Sequence, residues 1–333
     1  TTQNNPYLPY KHARESMTEF TEIPVLDVSP LFGGTDTDKA QLVADFQHAY
    51  GTTGFGYIIN HGIDPDLQNA VFAASAQFHA LPMATKMAVK LNHLHRGYIP
   101  INTSTDVNSK LANVKKPNQS ASFMMMREDS AEIPDHFLSG PNQWPDLDGF
   151  RPALEAYAKA MSDLGNRLMH IALLAAGANP QDFMATFNTP TTWLRLLHYP
   201  PTSPLSPDDL YGSAPHTDFG CLTLLAQDDV GGLQVKTPAG NWVDAPRIEG
   251  SFVVNVGDML HRLSNGRLLS TPHRVINQSG RERYSCPFFY DPHVTADIKP
   301  LAGTGTPKFN PLNFGDFLRG ELQAGYDQHK AAP

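Results

Sequence analysis

The sequence predicts an α+β chain with a mainly β core, in which helices come first and a β-sandwich or barrel follows. Three observations carry this. Apolar residues recur at helical spacing in the first half and the middle of the chain. From about Thr192 to Asp291 the pattern shortens to brief apolar runs between turn residues. The 28 prolines among 333 residues exceed the usual share, and many fall at loop-like spacing in the second half.

Taken in order, Leu42, Val43, Phe46 and Tyr50 share one helical face, and Leu67, Val71, Ala74, Phe78 and Leu81 share another. Between them, Gly54 to Ile63 is a β-rich apolar run closed by the turn signal Asn60-His61-Gly62, a buried strand in which His61 is assigned a structural role. Phe123-Met124-Met125-Met126 reads first as a buried strand and second as a pocket wall, because Met adapts to irregular apolar ligands. A third helix fits Arg151 to about Gly177, with Leu154, Tyr157, Met161, Leu164, Leu168, Ile171 and Ala175 on one stripe and Gly177 as its C-terminal cap. The runs Trp193–Tyr199, Leu222–Ala226, Leu233–Val235, Phe252–Val256, His273–Ile276 and Tyr284–Tyr290 supply the strands of the β core. A closing helix lies near Phe314 to Leu322.

Composition excludes several function classes. With 25 Lys+Arg against 33 Asp+Glu the net charge is −8, so nothing draws the chain as a whole to phosphate backbones or anionic lipid, and neither a nucleic-acid nor a membrane partner is expected. The opening Thr1-Thr2-Gln3-Asn4-Asn5-Pro6 lacks a secretory layout, and no stretch approaches the roughly 20 apolar residues of a membrane span, which makes a cytoplasmic location the expectation. Only two cysteines occur, Cys221 and Cys286; both read as small buried hydrophobes, and neither a disulfide scaffold nor a multi-cysteine zinc module is available. Any metal must be held by His and carboxylate, so the 14 histidines are the residues to sort.

His216 is the one histidine followed two positions later by an acid, Asp218. Residues i and i+2 of extended chain point to the same side, so both can face one cavity, although such a pair alone is a weak signal. His273 follows Ser270-Thr271-Pro272 and opens an apolar run, at a strand start from which it can supply a third ligand. After the turn Gln278-Ser279-Gly280 comes a strand carrying Arg283 and Ser285, and a hairpin there would put this pair beside His273. A guanidinium that forks onto a carboxylate, helped by a hydroxyl, anchors an acidic small molecule. Two His and one carboxylate with three open positions are the arrangement of non-haem Fe(II) sites that activate oxygen. His93, His95, His170, His198, His261 and His293 are assigned no role.

Further stretches occur in a telling order: Ile23-Pro24-Val25-Leu26-Asp27, Gly54-Phe55 through Asn60-His61-Gly62-Ile63, Arg96-Gly97-Tyr98-Ile99-Pro100, Phe150-Arg151-Pro152, Leu197-His198-Tyr199-Pro200-Pro201, His216-Thr217-Asp218-Phe219-Gly220, Gly231-Gly232-Leu233-Gln234-Val235, Asn255-Val256-Gly257-Asp258, Ser270-Thr271-Pro272-His273-Arg274-Val275 and Arg283-Tyr284-Ser285. In that order and over most of the chain they resemble the isopenicillin N synthase branch of the Fe(II)- and 2-oxoglutarate-dependent oxygenases.

The resemblance implies a double-stranded β-helix, or jelly roll, buttressed by N-terminal and middle helices. It implies one domain over 1–333, with a helix-rich N-terminal region at 20–150, a buttressing helix at 151–180, the jelly-roll core at 190–295 and a C-terminal segment at 296–333. By the same resemblance His216, Asp218 and His273 bind Fe(II), and Arg283 with Ser285, helped by Tyr199, grips the distal carboxylate of 2-oxoglutarate. O2 would then be reduced with release of succinate and CO2, and a small-molecule substrate would be oxidised, most often by hydroxylation; no obligate protein partner is implied. The chain departs from many plant-like members in having Leu197 where they have Asn, which removes one polar contact to the cosubstrate. Three alternatives stand beside this reading: an isopenicillin N synthase-type oxidase that uses no 2-oxoglutarate and turns Arg283 and Ser285 onto a substrate carboxylate, an enzyme that forms ethylene from 2-oxoglutarate, and a non-catalytic jelly-roll binding module.

Overall fold

The computed structural model describes residues 19–104, 111, 116–130, 132–207, 209–326 and 329; the polar opening at 1–6 lies outside them. After strand β1 (Val25–Asp27), helix α1 (Asp36–Thr52) starts at Thr35, whose hydroxyl accepts from the Asp38 N–H at 3.2 Å while the Asp38 carboxylate accepts from the Thr35 N–H at 2.8 Å. Strand β2 (Phe55–Ile59) is the expected buried run. In the turn behind it the Ile63 N–H donates to Nδ1 of His61, and the imidazole packs against Phe252. Helix α2 (Pro65–Ala80), capped by Asp64, and the short α3 (Met83–Ala88) lead to β3 (Gly97–Ile99) and β4 (Ala121–Met126), every residue of which is buried.

The long helix α4 (Phe150–Ala175) stops at Gly177, where φ is +80° and the N–H groups of Gly177 and Ala178 return to the carbonyls of Leu174 and Leu173. Then come β5 (Thr191–Tyr199), β6 (Ser213–His216), β7 (Leu222–Gln227), β8 (Leu233–Lys236), β9 (Trp242–Asp244) and β10 (Phe252–Val256). A short helix α5 (Asp258–Leu263) precedes β11 (His273–Val275), β12 (Arg283–Asp291), β13 (Asp297–Ile298), β14 (Leu312–Asn313) and the closing α6 (Phe314–Gly325).

Eight strands form one sheet in the order β1-β2-β10-β7-β12-β5-β4-β3, and four form a second in the order β6-β11-β8-β9. Strand alternation divides the residues of the large sheet between two cores. Leu194, Leu196, Leu224, Ala226, Val254, Cys286, Phe288 and Tyr290 turn toward the helices and join the α1, α2 and α4 side chains. Leu197, Tyr199 and Val253 turn the other way and meet Leu233, Val235 and Val275 of the small sheet. The result is a jelly roll with helices covering one outer face.

Helix α4 lies close on β12 because residue 165 is glycine: a Cβ there would fall 2.7 Å from Cγ of Tyr290, whose hydroxyl accepts from Asn166 Nδ2 at 3.1 Å. The expected hairpin after His273 does not form. Strand β11 already has β6 on one edge and β8 on the other, so no edge is left for β12, and residues 276–282 carry the chain across to the large sheet, where β12 inserts between β5 and β7.

Phe78 is fully buried, with the rings of Phe123, Phe150 and Tyr98 at 5.0, 5.4 and 5.8 Å. Phe78→Ala opens a cavity where α2 meets α4 and the large sheet, and should lower unfolding free energy by about 3–5 kcal/mol, read from urea denaturation midpoints.

Candidate metal centre

His216 is the last residue of β6 and His273 the first of β11, and the two are paired across the strands. That pairing sets their rings side by side, with centroids 4.3 Å apart. Asp218 follows two residues beyond the strand end, and its Oδ1 lies 3.5 Å from Nε2 of His216 and 3.6 Å from Nε2 of His273. All three ligand atoms lie within 4.8 Å of one another, and no other group of three or more His, Cys, Asp or Glu converges in this way among the described residues.

Each of the three candidate ligands is oriented by its far side. Nδ1 of His216 faces the carbonyl of Ala214 at 2.7 Å, and Nδ1 of His273 faces that of Thr271 at 3.2 Å. A ring nitrogen facing a carbonyl carries the proton, which makes Nε2 the metal-binding candidate of both rings. Oδ2 of Asp218 accepts from Thr223 Oγ1 at 2.5 Å and from Asn255 Nδ2 at 2.8 Å, so Oδ1 is the atom left to coordinate. Burial opposes ionisation of Asp218, but His273, His216 and the Asn255 amide together hold its carboxyl well below the usual carboxylate range.

The loop carrying Asp218 is fixed from the opposite sheet. The N–H groups of Gly257, Asp258 and Met259, just after β10, donate to the carbonyls of Cys221, Asp218 and Gly220 at 2.9, 2.8 and 2.9 Å. A Cβ at 257 would fall 2.4 Å from the Gly220 oxygen, so this close approach requires glycine. The carboxylate of Asp258 accepts from Thr217 Oγ1 at 3.3 Å and Ser270 Oγ at 2.6 Å, which ties together the segments leading to His216, Asp218 and His273. Burial pushes Asp258 up to about 6. Asp291, at the end of β12, accepts from the Cys221 N–H at 2.7 Å and is pushed up by burial to about 7.

The second cluster faces this one from the large sheet. Arg283 is 1% exposed. Its Nε donates to the Gly231 carbonyl at 2.6 Å, Nη2 to Gln227 Oε1 at 3.2 Å and Nη1 to Ser285 Oγ at 3.4 Å, and its guanidinium lies 4.7 Å from the centre of the Tyr199 ring. No carboxylate among the described residues forms an ion pair with it. The adjacent Glu282 turns instead to His198 and Tyr284. Arg283 and Ser285 therefore stand across the sandwich from His273 rather than beside it on a hairpin. Leu197 is paired with Ser285.

The residues fit the two groups that the chemistry calls for. Two imidazole nitrogens and one carboxylate oxygen converge as an oxygen-activating divalent metal requires. A buried guanidinium with neutral partners only fits a carboxylate ligand. Sequence reasoning missed the supports Thr223, Asn255, Asp258 and Asp291. Asn255 and Asp258 stand in a stretch that carried the resemblance, whereas nothing in the sequence distinguished Thr223 or Asp291.

Residues 190–292 match the family described as the 2OG-Fe(II) oxygenase superfamily, and residues 23–147 match the N-terminal region described as non-haem dioxygenase in morphine synthesis. The chain is 36% identical over 329 residues to the 2-oxoglutarate-Fe(II) type oxidoreductase hxnY of Emericella nidulans, covering 93% of this chain and 92% of that protein. It is 34% identical over 305 residues to a homoarginine-6-hydroxylase of Arabidopsis thaliana, covering 86% and 82%. Among solved structures, a full-length Neurospora crassa protein in complex with alpha-KG and thymine superposes with a TM-score of 0.80 at 32% identity, covering 91% of this chain and 96% of that one.

A Cβ at position 220 would lie 1.6 Å from Oδ1 of Asp291. Gly220→Ala must therefore push apart the Asp218 loop and β12. It should cost about 1–3 kcal/mol of stability and weaken Mn(II) binding, measured by thermal unfolding and by metal titration of the purified variant.

Proposed function

The chain belongs to the 2OG-Fe(II) oxygenase superfamily and is a 2-oxoglutarate-dependent Fe(II) dioxygenase, and we propose that His216, Asp218 and His273 hold its iron while Arg283, Ser285 and Tyr199 hold the distal carboxylate of 2-oxoglutarate. The observation that carries this reading is the placement of two incomplete sites on facing sheets of one sandwich. Two nitrogens and an oxygen converge on one side, and a buried guanidinium with only neutral partners lies on the other.

Bound Fe(II) and 2-oxoglutarate supply, with O2, an oxidant for an unactivated C–H bond and release succinate and CO2. The protein's part is orientation and dryness. The Ala214 and Thr271 carbonyls keep both imidazoles in the tautomer that presents Nε2. Thr223 and Asn255 hold Asp218 by one oxygen and leave the other to the metal. Arg283 and Ser285 fix the acid end of the cosubstrate, with Tyr199 beneath the guanidinium. Leu197, Leu233, Val235 and Val275 keep water from that end of the sandwich.

Hydroxylation of a small molecule is the outcome we favour. One relative is named a hydroxylase, and the Neurospora crassa neighbour is in complex with alpha-KG and thymine. We read the chain as one domain, because β1 to β4 from the N-terminal region lie in the same sheet as β5, β7, β10 and β12 from the core. No helix among the described residues is long and apolar enough to cross a membrane. A cytoplasmic location belongs to the same proposal, since Cys221 and Cys286 are free and buried, a state that a reducing compartment preserves.

Asp218→Ala should lower Fe(II)-dependent succinate release by at least about a hundredfold, and undiminished release would remove the ligand assignment. Arg283→Ala should raise the half-saturating 2-oxoglutarate concentration by at least about tenfold with little effect on metal affinity, measured by succinate formation against cosubstrate concentration. An unaltered requirement would move Arg283 out of the cosubstrate site.

A further inference from the structure

Gln227 reaches Arg283 from the neighbouring strand. It is the last residue of β7 and is paired with Ser285, which is itself paired with Leu197, so its side chain stands on the inner face of the large sheet. The next inner rung along β12 and β5 is Arg283 with Tyr199. The Gln227 amide has one orientation that satisfies both of its neighbours. Nε2 lies 2.8 Å from the Ala245 carbonyl, which can only accept, so Oε1 is the atom turned to Nη2 of Arg283 at 3.2 Å. Gln227 is 5% exposed and Ala245 is fully buried, so the amide is pinned at both ends in the interior.

The guanidinium is thereby held from several sides. Gly231, Ser285 and Gln227 each take one of its five N–H groups, which leaves one on each terminal nitrogen without an acceptor among the described residues, a match for the two oxygens of a carboxylate. The turn after β7 is acidic, yet the residue of that stretch that touches Arg283 is not. Asp228 directs Oδ1 to the Val230 N–H at 3.0 Å and Oδ2 to the Tyr284 N–H at 2.5 Å, and the exposed Asp229 pairs with Arg281 at 3.2 Å. Of these three consecutive polar residues, the neutral one is the one that is buried. A carboxylate in its place would meet Arg283 in a dry interior, where opposite charges attract strongly, and would compete for the guanidinium with an incoming acid.

We propose that Gln227 is a positioning residue for 2-oxoglutarate: pinned on Ala245, it sets the plane of the Arg283 guanidinium, and by being neutral it leaves the whole charge of that group to the distal carboxylate. Gln227 does not itself touch the cosubstrate; it acts through Arg283. This inference rests on the assignment of Arg283 to the cosubstrate.

The test is calorimetric titration of 2-oxoglutarate into the Mn(II)-loaded protein, with Mn(II) affinity measured on the same preparations. Gln227→Glu, which is nearly isosteric, should lose at least about thirtyfold in 2-oxoglutarate affinity, and Gln227→Met, which keeps the length but neither hydrogen bond, about three- to tenfold. Both should bind Mn(II) within about twofold of the unaltered chain, which also shows that they are folded. A role in packing alone predicts the reverse order, since the acid disturbs the shape least. In protein that already carries Arg283→Ala, Gln227→Met should lower the affinity by no more than about a further twofold, because its route to the cosubstrate is gone. Gln227→Leu serves if the methionine variant does not fold, and the comparison in the Arg283→Ala background decides if the acid variant does not. The proposal is overturned if either variant keeps its 2-oxoglutarate affinity within about twofold, if the methionine variant loses as much as the acid one, if Mn(II) affinity falls in step, or if Gln227→Met has its full effect without Arg283. Undiminished 2-oxoglutarate affinity in Arg283→Ala alone would be a different failure, that of the underlying site assignment.

Discussion

Three main-chain hydrogen bonds, from Gly257, Asp258 and Met259 to the loop at 218–221, are the contact on which the rest of the site depends. They fasten a loop that leaves the small sheet to a turn that leaves the large one. Because they involve backbone groups, they tolerate side-chain variation everywhere except at Gly257 and Gly220, where a Cβ would meet the Gly220 carbonyl and the Asp291 carboxylate. The direction of Asp218 is thus set by the spacing between the two sheets, and the two histidines by the rung that pairs their strands. Preorganisation of this kind places ligand atoms before any metal is present.

The electrostatics of the interior are arranged around a single anion. Asp218, Asp258 and Asp291 are all buried near one another, and the charge on Asp218 adds to burial in raising the other two. Only Asp218 has imidazoles to face. Asp258 and Asp291 are favoured in their neutral forms, so their contribution to stability is full in acid and fades as pH rises toward about 6 and about 7. The contribution of Asp218 has the opposite sign: it is present above the ordinary carboxylate range and is lost as pH falls below it. Between the ordinary carboxylate range and about pH 6 the site holds one firm negative charge, on Asp218, and Asp258 and then Asp291 ionise as pH rises through about 6 and about 7.

Much of this was legible in the amino-acid order. The stripe from Leu154 to Ala175 is one face of α4, and the runs from Trp193 to Tyr290 fall on strands of the two sheets. Strand β6 was not legible, because Ser213-Ala214-Pro215-His216 has no apolar run, and it exists through its pairing with β11. The chain path between His273 and Arg283 was misread for a related reason: a turn signal shows where a chain reverses, not which strand edges are already occupied. Asp291 has no signature at all, since its importance lies in the space that Gly220 leaves for it.

The pairing of His216 with His273 also has a kinetic meaning. The strands that bear them are joined only after the chain has built β7 to β10 between them and sent those segments into both sheets. Until β6 and β11 pair, there is no place where the three candidate ligand atoms meet. Loop-closure entropy makes such distant pairings late events in folding. A divalent metal that meets the three ligands only in the closed sandwich would then act on unfolding more than on folding, lengthening the life of the native state by occupying the last contact to form and the first to be lost.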